Sequence, residues 1–416
     1  MTDSPRETAA ETATLLLCDA RLADGRTVDV RLSGRRIEAV GTAGSLTPAT
    51  GTGRQGEAGA GRGGTRIDLR GYLLLPAPAE PHAHLDQALT AGGPPAGDSE
   101  DVQRRVTEGA LLQLGHGATA VRSHVRIGDV QGLRALEAVL QARRALRGLV
   151  EVRTVAVPRL LTGVAGADGA AMLRDALKMG ADAVGGCPDL DPDPSGCTEA
   201  LLSMAAEFGV PVDLHTAADD PARLARLAAM CGGMRPGVTL GPCHGLGALP
   251  AHTVAAAGSR LAAAGISVVA LPQGGCCVLD RGGPTPVRLL RAAGVRVTAG
   301  SGALGDLANP VGRGDPLEAA FLLSSHGECR PQRAYDLVSR EARAVMGLPE
   351  VRVEAGFPAE LLALRGDSLA GVLSLAYSRI VIHQGRVVSR TSAVREYCDS
   401  SGESVLDLPR QANGEA

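Results

Sequence analysis

Ala118-Thr119-Ala120-Val121-Arg122-Ser123-His124, then helical periodicity over 133–147, then Val150-Glu151-Val152-Arg153-Thr154-Val155-Ala156-Val157, form the unit that decides the fold. A short apolar run ends in small or polar residues, and an amphipathic stretch follows it. Working outward, such runs stand at 72–77, 118–124, 150–157, 181–186, 210–215, 237–244, 266–271 and 295–300. Helical stretches at 102–114, 133–147, 168–179, 198–208, 220–230, 252–264, 284–293 and 315–324 follow them in order. The runs are too apolar to face water on either side, which is the signature of a parallel sheet covered by helices. Eight consecutive units predict an α/β protein built on a closed (β/α)8 TIM-like barrel. A doubly wound open sheet is the alternative, but it does not call for eight units in succession.

The texture differs at both ends of the chain. Leu15-Leu16-Leu17-Cys18-Asp19-Ala20 and Val28-Asp29-Val30-Arg31-Leu32 alternate like hairpin strands, with Gly34 and Gly41 as punctuation. Strand patterns return at 360–364, 378–383 and 386–389, the last two separated by Gln384-Gly385. The expected organisation is therefore a small β-sandwich domain made from residues 1–76 and 347–416, beside a catalytic-type barrel over 77–346. Residues 43–65 are rich in Gly, Ala, Thr and Ser and read as a flexible insert, and the tail from Glu396 reads as polar and frayed.

Composition narrows the function. Lys+Arg 42 against Asp+Glu 45 gives a net charge of -3 with no basic run, so neither nucleic acid nor an anionic membrane is an expected partner. Trp is absent and there are only 3 Phe and 4 Tyr, so aromatic platforms for base stacking are lacking. No stretch reaches the length of a membrane span, and the polar N-terminus has no signal-peptide shape, so a cytoplasmic location is expected. Nine cysteines without a CxxC pair suit free thiols. A small-molecule substrate is the expected partner, and self-association into a homo-oligomer is compatible with the sequence.

Five of the nine histidines fall at the C-terminal ends of expected strands: His82, His84, His124, His215 and His244. That end of a barrel is where loops from every strand converge and where catalytic groups collect. Spacing i and i+2 on extended chain puts His82 and His84 on one side, able to chelate one divalent cation, zinc or iron, with His215 as a third ligand. His116, His252, His326 and His383 read as surface or structural residues.

Ile67-Asp68-Leu69-Arg70-Gly71-Tyr72-Leu73-Leu74-Leu75-Pro76 running into Glu80-Pro81-His82-Ala83-His84-Leu85-Asp86 resembles the amidohydrolase superfamily, and the second part is similar to its cytosine deaminase branch. Val121-Arg122-Ser123-His124-Val125, Asp213-Leu214-His215, Cys243-His244, Asp306 with Asn309-Pro310-Val311-Gly312, and Gly385-Arg386-Val387-Val388 agree in order. The resemblance implies one divalent metal held by His82, His84, His215 and a strand-8 Asp. It also implies proton transfer by that Asp, by a Glu three residues after His215 and by His244. The implied reaction is hydrolysis at a ring carbon of a cyclic amide or amidine.

The histidines are kept, but the acids are not. Ala218 stands where the Glu is expected and Gly302 where the Asp is expected, while Asp306 matches a later Asp of the family. Each missing general acid or base is worth about 100- to 10,000-fold, so ordinary cytosine deamination is not expected. Asp219 and Asp306, with His244, are the candidate replacements for proton transfer. Cys187, Cys243, Cys276 and Cys277 are weaker candidates as substitute metal ligands. Lys178, the only lysine, lies in a helical stretch and cannot bridge two metals, so the site is read as mononuclear.

Arg126 stands where the branch carries an acid, and Arg159 where it carries its cytosine-binding Gln. With His124 they form the expected substrate contacts, in a cavity suited to an anionic small molecule. Three readings follow: a metal-dependent hydrolase of altered C–N chemistry, a catalytically inactive homologue kept as a binding or regulatory subunit, and a metal-dependent isomerase or lyase.

Overall fold

The computed structural model describes residues 14–47, 65–93, 97–128, 132–164, 166–274, 284–375 and 378–393. Five strands come first: β1 (Thr14–Arg21), β2 (Thr27–Ser33), β3 (Arg36–Thr42), β4 (Thr65–Asp68) and β5 (Tyr72–Pro76). Eight more form the barrel: β6 (Ala79–Ala83), β7 (Ala120–Ile127), β8 (Glu151–Pro158), β9 (Ala183–Gly186), β10 (Val212–Thr216), β11 (Val238–Pro242), β12 (Ser267–Ala270) and β13 (Arg296–Ala299). Each pairs in parallel with the next, in unbroken order from β6 to β13. The ring closes just past β13, where Gly302 bridges Ala83 in parallel and Ser301 donates from its backbone N (2.8 Å) and its Oγ (2.5 Å) to Glu80 Oε2.

The chain then returns through β14 (Leu361–Arg365), β15 (Arg379–His383) and β16 (Arg386–Thr391). These join the N-terminal strands in one sheet ordered β16-β15-β14-β5-β1-β2-β3, with β4 beside β1. The β domain from both termini is thus present. One expectation is corrected: the apolar run at 72–77 is not the first barrel strand. Tyr72–Pro76 is β5 and pairs with β14 in the terminal sheet, whereas the first barrel strand is the short, polar β6. The residues of β6 are all buried although two are charged or titratable, so apolarity alone could not mark it. The turn between β15 and β16 places Gln384 and Gly385 at φ 50° and 73°, the two-residue geometry that matches strand twist. A side chain on Gly385 would collide with the carbonyl of Gly34, so this turn also packs against the β2–β3 hairpin.

Leu, Val and Ala fill both cores, one between barrel and helices and one inside the terminal sheet, as the shortage of aromatics requires. Helices 99–115, 194–208, 221–231 and 316–325 begin behind Asp98, Asp193, Asp220 and Asp315, whose carboxylates accept from first-turn N–H groups. In the last three a Pro follows the cap, pre-set for the first helical position. The two units are tied by a buried pair: Arg379 of β15 donates to both Asp315 oxygens at 3.0 and 2.7 Å and to the carbonyl of His116 at 2.6 Å. No helix among the described residues is long and apolar enough to cross a membrane. Most of the 43–65 insert, the tail from Glu396, Cys276 and Cys277 lie outside the described residues.

Candidate metal centre

Three barrel strands aim alternate side chains at the axis, and they do so in step. The pairs Glu80/His82 on β6, Arg122/His124 on β7 and Asp213/His215 on β10 each stand two residues apart, so one charged layer lies beneath one imidazole layer. All six side chains are buried. His84, one step further along, completes a group of four in which ligand-capable atoms lie within 4.8 Å of one another: His82, His84, His124 and His215. Ring centroids are 4.1 Å apart for His82–His124, 4.7 Å for His82–His215 and His124–His215, and 5.1 Å for His84–His215.

The lower layer fixes the upper one. Arg122 Nη2 lies 2.6 Å from Asp213 Oδ2, and the same oxygen is 3.3 Å from His124 Nε2. Arg122 Nε also donates to the carbonyl of Pro81 at 2.9 Å, tying β7 to the residue before His82. Glu80 Oε1 accepts from the backbone N of His82 at 3.0 Å. On β11, Gly241 lies against His82, and a Cβ there would stand in ordinary contact with His82 Nδ1 at 3.5 Å.

Burial and neighbouring charges, the other histidines first, push the pKa values of His82 and His84 well below the usual imidazole value, and that of His215 to about 3. The rings are therefore neutral at pH 7, the form in which imidazole binds a metal. Burial opposes ionisation of Asp213, but the Arg122 guanidinium and His124 outweigh it and hold its carboxyl below the usual range. Burial pushes Glu80 up to about 7 against the hydrogen bonds from Ser301 and His82.

A metal-free cluster leaves polar atoms unmatched. His84 Nε2 and His215 Nε2 are 3.2 Å apart and can share one proton. His82 Nδ1 and Nε2, His84 Nδ1, His124 Nδ1 and Nε2 and His215 Nδ1 have no hydrogen-bond partner, although His124 Nε2 lies 3.3 Å from Asp213 Oδ2. Buried polar nitrogens left without a partner cost about 1–3 kcal/mol each, and a cation at their centre would take up one nitrogen of each ring. The donor set therefore fits a divalent metal.

The other expected site residues are placed as follows. His124, expected to touch substrate, is brought into the cluster itself. His244 is buried one residue past Cys243, at the start of a short turn after β11, and is not one of the four. Asp219 is exposed and lines a cleft of about 80 Å³ with Asp189, Thr216 and Arg223, which none of the four histidines lines. Asp306 is buried and accepts from the backbone N of Ala308 and Asn309, with burial raising its pKa. Asp220 is a helix cap. Neither Asp219 nor Asp306 joins the cluster. Burial pushes the Cys243 thiol up, away from the thiolate form that binds metal. Lys178 is exposed and pairs with Asp175.

Arg126 and Arg159 both stand exposed at the rim, at the ends of β7 and β8. After burial, the charge of Arg126 is among the forces that disfavour protonation of His84 and His215, and it opposes the rise that burial gives the carboxyl pKa values of Asp86 and Asp306. Asp86 is a residue the sequence reading passed over. It is 2% exposed, accepts from the backbone N of Arg126 at 3.4 Å and has no partner for Oδ1. Its spacing of two from His84 was the available signal.

Residues 95–389 match the model of the amidohydrolase family. The chain belongs to this family. It is 24% identical over 367 residues to N-isopropylammelide isopropyl amidohydrolase of Pseudomonas sp. (strain ADP), covering 79% of this chain and 89% of that one. It is 25% identical over 367 residues to pterin deaminase of Rhizobium rhizogenes, covering 78% and 83%. Among solved structures, N-isopropylammelide isopropylaminohydrolase from Burkholderia multivorans superposes with a TM-score of 0.78 at 26% identity, over 91% of this chain and 99% of that one. The 5-methylcytosine deaminase from Klebsiella pneumoniae shares the fold, with a TM-score of 0.76 at 24% identity over 92% of this chain and 99% of that one.

Proposed function

We propose that the protein is a metal-dependent hydrolase that cleaves a C–N bond in a small cyclic amide or amidine carrying an anionic substituent. The observation that carries this reading is the buried histidine cluster at the C-terminal end of the barrel with the exposed cation of Arg126 beside it. The relatives named for N-isopropylammelide and pterin support a nitrogen-rich cyclic substrate. A zinc or iron ion held by His82, His84 and His215 supplies Lewis acidity toward the scissile group. Arg126 orients the anionic substituent, with Arg159 as a further contact. His244 exchanges protons at its imidazole, and Asp306 and Asp219 remain the proposed carboxylate candidates although both stand outside the histidine cluster. Ala218 and Gly302 argue against ordinary cytosine deamination.

The test is amine or ammonia release by the zinc- or iron-loaded protein from paired cyclic amides and amidines, each with and without a carboxylate. Turnover is expected for the carboxylate-bearing member, with solvent oxygen in the product. Product without solvent oxygen would instead favour an isomerase or lyase. A second reading, an inactive binding or regulatory subunit, is favoured by one observation: the Gly302 side-chain direction is filled by Leu271, whose Cδ1 would lie 2.9 Å from a Cβ there. Full metal loading with no turnover across the panel would select it. Location in the cytoplasm and assembly of identical chains belong to the same proposal.

A further inference from the structure

The acid missing from the end of β13 raises the question of what completes the coordination, and the layered geometry of β6, β7 and β10 answers it. We infer that His124 of β7 is a metal ligand that takes over the position given up at Gly302, making an all-imidazole centre of His82, His84, His124 and His215. This rests on the metal-dependent reading above and adds a specific ligand to it.

Three observations carry the inference. His124 is fully buried and its ring lies nearer to His82 than any other ring pair in the group, at 4.1 Å between centroids. Nitrogens bound to one zinc at about 2.0–2.1 Å stand at most about 4 Å apart, so atoms already within 4.8 Å need only small ring rotations to close. Next, Asp213 faces His124 Nε2 at 3.3 Å and is itself anchored by Arg122. A carboxylate on the far nitrogen is the usual support of a ligating imidazole, fixing its tautomer and orientation. Finally, the end of β13 offers no ligating side chain at Gly300 or Gly302: Gly302 has φ 75°, its side-chain direction is occupied by Leu271, and Gly300 two residues before it is hemmed in by Glu80.

Exchange of a carboxylate for an imidazole removes a negative charge from the coordination sphere. The Asp213 charge beneath is matched by Arg122, so the cation keeps its full formal charge toward the open end of the barrel. Such a centre favours an anionic ligand from solution, and its nitrogen-only donors favour zinc, cobalt, nickel or copper over magnesium or manganese.

The experiment is Co(II) titration of metal-stripped full-length protein, reading stoichiometry and the visible absorption bands, with Zn(II) affinity from chelator competition. Wild type, His82→Ala and His124→Gln are compared, and circular dichroism confirms the fold of each. One equivalent is expected in wild type and none in His82→Ala. His124→Gln is expected to bind more than about 100-fold more weakly, since loss of an outer partner alone costs about 10- to 100-fold, and to shift the absorption bands. Unchanged affinity and bands in His124→Gln, with binding lost in His82→Ala, would overturn the inference and leave the three-histidine reading intact. No binding in wild type would overturn both. Should His124→Gln not fold, anomalous diffraction from Zn(II)-soaked wild-type crystals decides. Four imidazoles at bonding distance support the inference, and three with His124 withdrawn reject it.

Discussion

Two sets of strands in the barrel interior are built on opposite plans. On β6, β7 and β10 the inward positions carry Glu80, Arg122 and Asp213 under His82, His124 and His215, all buried and cross-linked. From β11 to the end of β13 the facing positions carry Gly241, Val269, Gly300 and Gly302, with Leu271 packed behind. One set supplies donors and the charges that hold them, while the other supplies space. The histidine cluster therefore draws on β6, β7 and β10, while at the end of β13 an aliphatic side chain fills the place where the family resemblance implies an acid.

His82→Ala tests the donor side with the largest expected effect: metal per chain, by elemental mass spectrometry, falls from one to background. Asp213→Asn comes next, because it leaves Arg122 buried without its counter-ion. A loss of about 3–5 kcal/mol in urea unfolding is expected, together with Zn(II) binding weakened about 10- to 100-fold. Unaltered stability would show that the lower layer does not act as a unit. On the other side, Gly302→Asp should destabilise by about 1–3 kcal/mol through overpacking against Leu271, and Leu271→Ala should relieve that cost in a double-mutant cycle. A fully stable Gly302→Asp that also gains metal affinity would contradict the filled place at the end of β13. The smallest effect is at the rim: Arg126→Gln should raise KM for an anionic substrate about 10-fold, near 1.4 kcal/mol, while KM for the neutral analogue stays put.

Sequence alone revealed the barrel because seven of its strands are short apolar runs followed by amphipathic helices. It misplaced the first strand because Tyr72-Leu73-Leu74-Leu75-Pro76 is the more apolar segment, whereas β6 is charged, contains Pro81 and is buried all the same. His82, His84 and His215 were legible from spacing and strand ends. The place of His124 was not, since one imidazole at a strand end says nothing about which way it turns, and the deciding partner, Asp213, is distant in sequence. Asp219 and Asp306 looked able to replace the missing acids because they are near in sequence. The loop after β10 instead turns Asp219 outward through Ala218 at φ 57°, and Asp306 is engaged by its own turn.

The Arg379–Asp315 pair also bears on how the chain is made. The helix at 316–325 starts on a carboxylate whose buried counter-ion arrives 64 residues later, on a strand of the terminal sheet. Until Arg379 leaves the ribosome, that carboxylate has no cation to meet, and the barrel beside it is complete in sequence yet short of its final contact. The barrel is thereby fastened through β15, so a chain truncated before β15 carries every histidine of the candidate metal centre without this buried pair beside it.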